Sequence, residues 1–477
     1  MNGTPFVPAT GVERRFAWLS AFPHGSKNER ALSDAILALA REAGLEAVQD
    51  SLGNLLVRKP ASPGREHAAP VILQAHLDMV CTKVPESRHD FFNDPIALLA
   101  EDGWLRADGT TLGADDGYGV AYMLELLFGP ETVHPPLECL FTVQEEIGLI
   151  GAAQFDTSLI LARRMISMDS GGENDCTVST CGGRRITLTL PLKPVQTQGV
   201  FLRLNVSGLV GGHSAGEIHR GRANALKVLG HALLALGSAG AALCQAQGGE
   251  AANAIPRDAS ALLVAPEDRL DGVRAAFEAV RGRMIKLYRA TDPDMTLTLE
   301  EAEPCEGPAY DPSCASLLAA LPDGVRMMDA ERPGVVALSD NIGVLTQNGG
   351  EWRVQCMIRS ASPEHRDLLS EQILAVAEAF GAAAHTDSDY PGMEYDPHSK
   401  TRALFAQVVR DMLGKEIVES STHGGMEIGY FSRSVPGLDI ATLGPIAEGC
   451  HSPSERMDLA SFNRMYAVLR EMLRRMD

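Results

Sequence analysis

The sequence predicts an α/β protein in which a mostly parallel sheet between helices is interrupted by an inserted α+β domain. Three observations lead there. Short apolar strands alternate with amphipathic helical segments over residues 1–186, the pattern of βα units. From about residue 187 to 392 the character changes, with a strand–helix alternation that recurs twice and suggests two related halves. From 393 to 477 the first pattern returns. The expected organisation is a first domain in two parts, 1–186 and 393–477, around an insertion at 187–392.

The elements follow in order. Ser26-x-x-Glu29 has capping-box spacing. Apolar residues from Ala31 to Ala40 recur at helical period and Gly44 marks the stop. Asp50-Ser-Leu-Gly-Asn54 reads as a turn between two strands. Val71 begins an apolar strand that runs into His76-Leu-Asp78. Gly113-Ala-Asp-Asp-Gly-Tyr-Gly119 is a tight loop opening a helix over 120–128. A strand at 138–144 ends in Gln144-Glu-Glu146, and another at 165–168 ends in Asp169. In the insertion, strands are expected at 200–207, 260–264, 295–300 and 352–358, with helices at 224–236, 272–288 and 363–380. The closing part reads as a helix at 400–413, a strand at 438–442 and a helix at 457–476, with His451 in a loop after the strand.

Composition bounds the function. The chain has 477 residues, 45% hydrophobic and 22% charged, with a net charge of −20. Such a surface repels phosphate backbones and anionic membranes, so neither nucleic acid nor membrane is an expected partner. No apolar run approaches the roughly 18 residues of a membrane span, and no signal peptide is visible. Nine scattered cysteines without a C-x-x-C pair read as free thiols in a reducing compartment. A cytoplasmic enzyme is the expectation.

Parallel strands place their carboxyl ends together, and sites form beyond those ends. Five candidate ligands sit in such positions or in adjoining loops: His76, Asp115, Glu146, Asp169 and His451. Two imidazoles and three carboxylates suit zinc, and cobalt or manganese at a similar site. Five ligands exceed one tetrahedral ion and suffice for two if a carboxylate is shared. Glu145, beside Glu146, leaves a strand end in a different direction and can stand unligated as a base.

Six motifs occur in order: His76-Leu-Asp78, Leu112-Gly-Ala-Asp-Asp-Gly117, Glu145-Glu-Ile-Gly148, Met168-Asp-Ser170, Gly211-Gly-His-Ser214 and His451-Ser-Pro-Ser-Glu455. Together they resemble the co-catalytic dinuclear zinc exopeptidases of the aminoacylase and carboxypeptidase class, and within it the aminoacyl-histidine (Xaa-His) dipeptidase branch. The resemblance implies a zinc-exopeptidase catalytic domain with an inserted lid domain. It implies two Zn²⁺ per chain: Asp115 bridging, His76 and Asp169 on one ion, Glu146 and His451 on the other. Asp78 would brace an imidazole and Glu145 would be the general base, with Asp116 a structural cap. His213 would reach over the cleft to the oxyanion, which requires closure of the insertion. Asn253 and Arg359 would hold the substrate backbone and terminal carboxylate. His423, Gly424 and Gly425 would approach the substrate's C-terminal end. The implied reaction is hydrolysis of unblocked dipeptides, including Xaa-His and with β-alanyl-histidine as an option. An N-acyl amino acid deacylase or a carboxypeptidase with the same centre is the alternative, and a catalytically inactive metal-bearing binding protein is the alternative from another class. A homodimer is one option for the assembly.

Overall fold

The computed structural model describes residues 3–477, and the chain divides into two compact units. The first comprises Met1–Ser179, Met393–Ser421 and Met426–Asp477; the second comprises Thr180–Gly392 and Thr422–Gly425.

The first unit is built on a six-stranded mixed sheet, in the spatial order Glu46–Gln49, Leu55–Lys59, Leu137–Thr142, Val71–His76, Arg164–Ser167, Asp439–Thr442. The last four are mutually parallel; the first two join antiparallel. These strands are apolar because both faces are covered. Leu73, Cys139, Phe141 and Ile166 enter one core, with the helices Gly11–Leu19, Arg30–Glu42, Ala114–Phe128, Lys400–Leu413 and Leu459–Arg475. Leu56, Ile72, Leu140 and Met165 alternate to a second core under the short helix Ile428–Ser434. A five-stranded sheet containing Leu98–Glu101 and Trp104–Ala107 lies apart from the six-stranded one.

Two helix starts differ from expectation. The helix Arg30–Glu42 begins with Glu29 at its N-cap and no side-chain cap. Ser26 donates instead to Asp78 at 2.7 Å, and Glu29 accepts the Gln144 N–H at 3.0 Å. Both residues of the supposed capping box are claimed by groups from distant strands. A true capping box, Thr10 with Glu13, opens Gly11–Leu19. The helix after Gly113 begins at Ala114 rather than Val120, with non-helical angles at Asp115 and Asp116, whose joining peptide is cis.

The second unit carries an eleven-stranded antiparallel sheet and a two-stranded one, Gly212–His213 with Ala254–Ile255. The main path of the larger sheet runs Thr296–Glu301, Val200–Ser207, Ala259–Ala265, Ala242–Gly248, Val336–Asn348, Glu351–Ser360, Gly182–Pro191, Ala383–Tyr390. The helices Ala225–Ser238, Leu270–Tyr288, Ala315–Ala320 and Pro363–Ala379 accompany it, and Leu229, Phe277, Leu317, Trp352 and Ile373 share its core. The strand Gly182–Pro191 starts ahead of residue 187, so the unit begins earlier than the change in sequence character.

Candidate active site

The parallel order brings four candidate residues to one sheet edge. His76 ends the central strand, Glu145 and Glu146 follow its neighbour on one side, and Asp169 follows its neighbour on the other. His76 Nδ1 lies 2.9 Å from the backbone carbonyl oxygen of Asp78. A carbonyl only accepts, so Nδ1 carries a proton and Nε2 faces the site. That Nε2 is 3.3 Å from Asp115 Oδ1. The other Asp115 oxygen is 3.4 Å from His451 Nε2, which is itself 3.0 Å from Glu146 Oε1.

These spacings fit a divalent metal. Two ligand atoms each about 2.1 Å from one ion, at a tetrahedral angle, stand about 3.4 Å apart. His76, Asp115 and Glu146 each offer an atom within 4.8 Å of the others. Glu146 Oε1 is buried, and its close partner is the His451 ring nitrogen, another candidate ligand atom. Asp115 turns one oxygen to each imidazole, as a carboxylate shared between two ions would. His451 holds its position with φ of 65°, left-handed backbone that a histidine seldom adopts.

Electrostatics binds the group together. Burial opposes a charge on His76, but its bonds to Asp115 and Asp78 outweigh burial and raise its pKa well above the usual value. The Asp115 and Glu146 carboxylates push His451 up to about 10. A divalent ion competes with these protons for the same ring nitrogens, so its binding releases protons. Burial, with the charges of Asp115 and Glu146, pushes Asp169 up to about 7 against the pull of His76 and His451. Burial also pushes Glu145 up to about 9, with Asp169, Glu427 and Glu146 adding to it and His76 opposing.

The Asp78 carboxylate has two sets of partners. It lies 3.6 Å from His76 Nδ1, within ion-pair range. It also accepts the N–H groups of Glu145 at 2.9 Å and Glu146 at 3.2 Å. The Asp78 carbonyl orients the imidazole, and the carboxylate places the two glutamates beside it. Asp116 is fully buried and accepts the Gly119 N–H at 3.3 Å, a local cap.

Two supporting residues had no role in the sequence reading. The Glu455 carboxylate accepts four successive N–H groups, of Leu112, Gly113, Ala114 and Asp115, at 2.7, 3.0, 2.9 and 3.4 Å. It clamps the loop that carries Asp115. Glu427 is buried beneath the strand ends, where Gln74 donates to it at 2.7 Å and Thr142 at 2.5 Å. Burial pushes its carboxyl up to about 8. Only its place in His423-Gly-Gly-Met-Glu427 could have drawn attention to it.

The remaining predicted residues lie in the second unit. His213 Nδ1 accepts the Ala215 N–H at 3.2 Å, which leaves the ring proton on Nε2, 3.3 Å from the Asn253 amide. Asn253 is held from both sides: Asn341, buried in the strand Val336–Asn348, donates to the carbonyls of Ala252 and Ala254, each at 2.8 Å. Arg359 is 3% exposed and donates to Ser214 at 3.1 Å and Tyr390 at 2.9 Å. Among the described residues no carboxylate lies in ion-pair range of it. A buried guanidinium bonded only to hydroxyls retains its attraction for an anion. His423 lies between Cys181 Sγ at 3.0 Å and Ser339 Oγ at 2.7 Å. Burial and the charge of Arg359 lower its pKa to about 4. Gly424 follows, its N–H bonded to Thr422 at 3.1 Å, and Gly425 ends this excursion of the chain.

Residues 72–475 match peptidase family M20/M25/M40. The chain belongs to that family. The resemblance carried by the six ordered motifs is borne out. The cytosol non-specific dipeptidase of Escherichia coli (strain K12) is 33% identical over 469 residues, 96% of either chain. The crystal structure of aminoacylhistidine dipeptidase from Vibrio alginolyticus superposes with a TM-score of 0.90 at 31% identity, covering 98% of this chain and 96% of that one. A tripeptidase from Staphylococcus aureus, 17% identical, shares the fold with a TM-score of 0.59 over 97% of both chains.

Proposed function

We propose that this peptidase hydrolyses the single peptide bond of unblocked dipeptides, including Xaa-His, at a centre of two zinc ions. The observation that carries the reading is the Asp115 carboxylate set between two imidazoles, with Glu145 next to Glu146 on backbone held by Asp78. His76 and Asp169 would hold one ion, and Glu146 and His451 the other, with Asp115 on both; cobalt or manganese suits the same donors. Bound ions supply Lewis acidity and lower the pKa of water.

The chain's own groups do the rest. Glu145 accepts a proton from the attacking water and returns it to the leaving amine. Nearby cations favour its carboxylate form, against the burial that raises its pKa. In this reading His213 donates through Nε2 to the oxyanion, a donor whose loss typically costs about 10²–10³ in rate. Asn253 and Arg359 hold the substrate backbone and terminal carboxylate, while the His423-Gly424-Gly425 loop approaches the substrate's C-terminal end. A site that grips the carboxylate measures substrate length, which favours dipeptides over proteins. No helix among the described residues is long and apolar enough to cross a membrane, and the reading places the enzyme on peptides of the cytoplasm.

The test pairs metal analysis with kinetics. Metal-replete protein should cleave free dipeptides and leave N-acyl amino acids intact. Glu145→Gln should retain its metals and lose nearly all turnover. Hydrolysis confined to N-acyl amino acids would transfer the reading to a deacylase. Inertness after remetallation would leave a binding protein.

A further inference from the structure

We propose that a cavity within the first unit receives the side chain of the substrate's amino-terminal residue and selects a large, uncharged, apolar one. The inference rests on the dipeptidase reading and adds its specificity. The cavity measures about 680 Å³, ample for one amino-acid side chain.

Two lining residues tie it to the candidate active site. Glu146 is one of the proposed metal ligands, and Ser26 donates to Asp78, the residue that places both glutamates. In a dipeptide the reacting carbonyl belongs to the amino-terminal residue. That residue's side chain is therefore one bond from the Cα beside the reacting atoms, and a cavity sharing Glu146 is where it would fall.

The walls state the chemistry. Met79, Val80, Phe91 and Phe92 line it. Phe92 is 75% exposed and Ile147, another wall residue, 44% exposed. Large apolar groups gathered at one concave surface mark a binding site more than isolated ones do. Lys83 and Arg88 also line the cavity. The Lys83 ammonium bonds the His89 carbonyl at 2.7 Å, and its charge acts on Asp90, an acidic residue of the same lining. Asp90 also accepts the Phe92 N–H and the Asn93 amide. With Glu146 engaged as a proposed metal ligand, two cations against that one carboxylate disfavour a lysine or arginine side chain in the cavity. They also turn the substrate's own ammonium back toward the carboxylates of the active site. An apolar side chain meets no such penalty.

The experiment compares Gly-Gly, Leu-Gly, Phe-Gly and Lys-Gly as substrates of the zinc-loaded protein, of Val80→Trp, which fills the cavity, and of Phe91→Ala, which widens it. Wild type should favour Leu-Gly and Phe-Gly over Gly-Gly and Lys-Gly by at least about ten-fold in kcat/KM. Val80→Trp should remove that preference through KM, lowering Leu-Gly and Phe-Gly at least about ten-fold more than Gly-Gly. A second readout needs no turnover: calorimetric binding of L-phenylalanine amide and of glycinamide to zinc-loaded Glu145→Gln, with and without Val80→Trp. Selectivity unchanged in both cavity variants overturns the proposal. Absence of dipeptide hydrolysis, with phenylalanine amide still bound more tightly and Val80→Trp abolishing the difference, removes the dipeptidase reading and keeps the cavity assignment. Equal binding of the two amides overturns the assignment.

Discussion

One oxygen of the Asp78 carboxylate accepts the backbone N–H of Glu145 at 2.9 Å, so the loop after one strand fixes where the next strand releases the proposed base. The other oxygen accepts from Glu146 and from the Ser26 hydroxyl. Asp78→Ala frees both glutamates together. Turnover should fall by about 10–100-fold, as for other residues that orient a metal site. Metal affinity should weaken through Glu146. Equilibrium dialysis with zinc and steady-state kinetics separate the two effects. Unchanged values of both would show that the strand end holds its shape unaided.

Glu455 invites a parallel experiment. Its carboxylate is 2% exposed and satisfies four N–H groups of the Asp115 loop. Glu455→Ala strands those donors, which costs about 1–3 kcal/mol for a buried group left unpaired. Glu455→Gln keeps one oxygen acceptor and should lie between Ala and wild type. Thermal unfolding midpoints and metal content should both follow that order.

Asn341 serves Asn253 as a positioning residue. Its amide holds the carbonyls on both sides of Asn253, and Asp in its place would face those carbonyls without a proton to donate. Asn341→Asp should impair dipeptide cleavage while metal content, which the proposed ligands of the other unit would set, stays at the wild-type level. Loss of zinc in this variant would point to general misfolding instead.

The pH dependence of stability can be read at His423. Its folded pKa, about 4, is below the ordinary 6.5 because burial and Arg359 disfavour the charged ring. Between those values the unfolded chain binds the additional proton, so stability falls as pH drops from about 6.5 to 4 and this loss is complete below 4. The shift corresponds to a contribution on the order of 3 kcal/mol. His423→Gln should flatten the difference in unfolding midpoint between pH 7 and pH 4.5. An identical slope in the variant would assign the pH dependence elsewhere.

What could be read from the chain alone depended on how local the cause was. His76, Glu145, Glu146 and Asp169 were legible because apolar strand runs end at or just before them, and parallel strands share an edge. Asp115 stood out between glycines. Ser26 and Glu29 misled because their spacing imitates a cap that contacts from Asp78 and Gln144 override. The strand Val336–Asn348 escaped notice because Asp340, Asn341 and Gly343 break the apolar alternation in its centre. The residues that interrupt the pattern include the one that fastens Asn253. Glu455 lay inside a recognised motif, but its work is done against a loop more than three hundred residues earlier, which no spacing rule reveals.

That long reach sets a timetable for the newborn polypeptide. Synthesis runs from the amino end, so the Asp115 loop emerges from the ribosome with no acceptor for its row of N–H groups. His451 and the edge strand Asp439–Thr442 are made later still than the Asp115 loop. Until they emerge, the proposed ligand set is incomplete. A translation product interrupted before them would therefore lack the means to cut peptides.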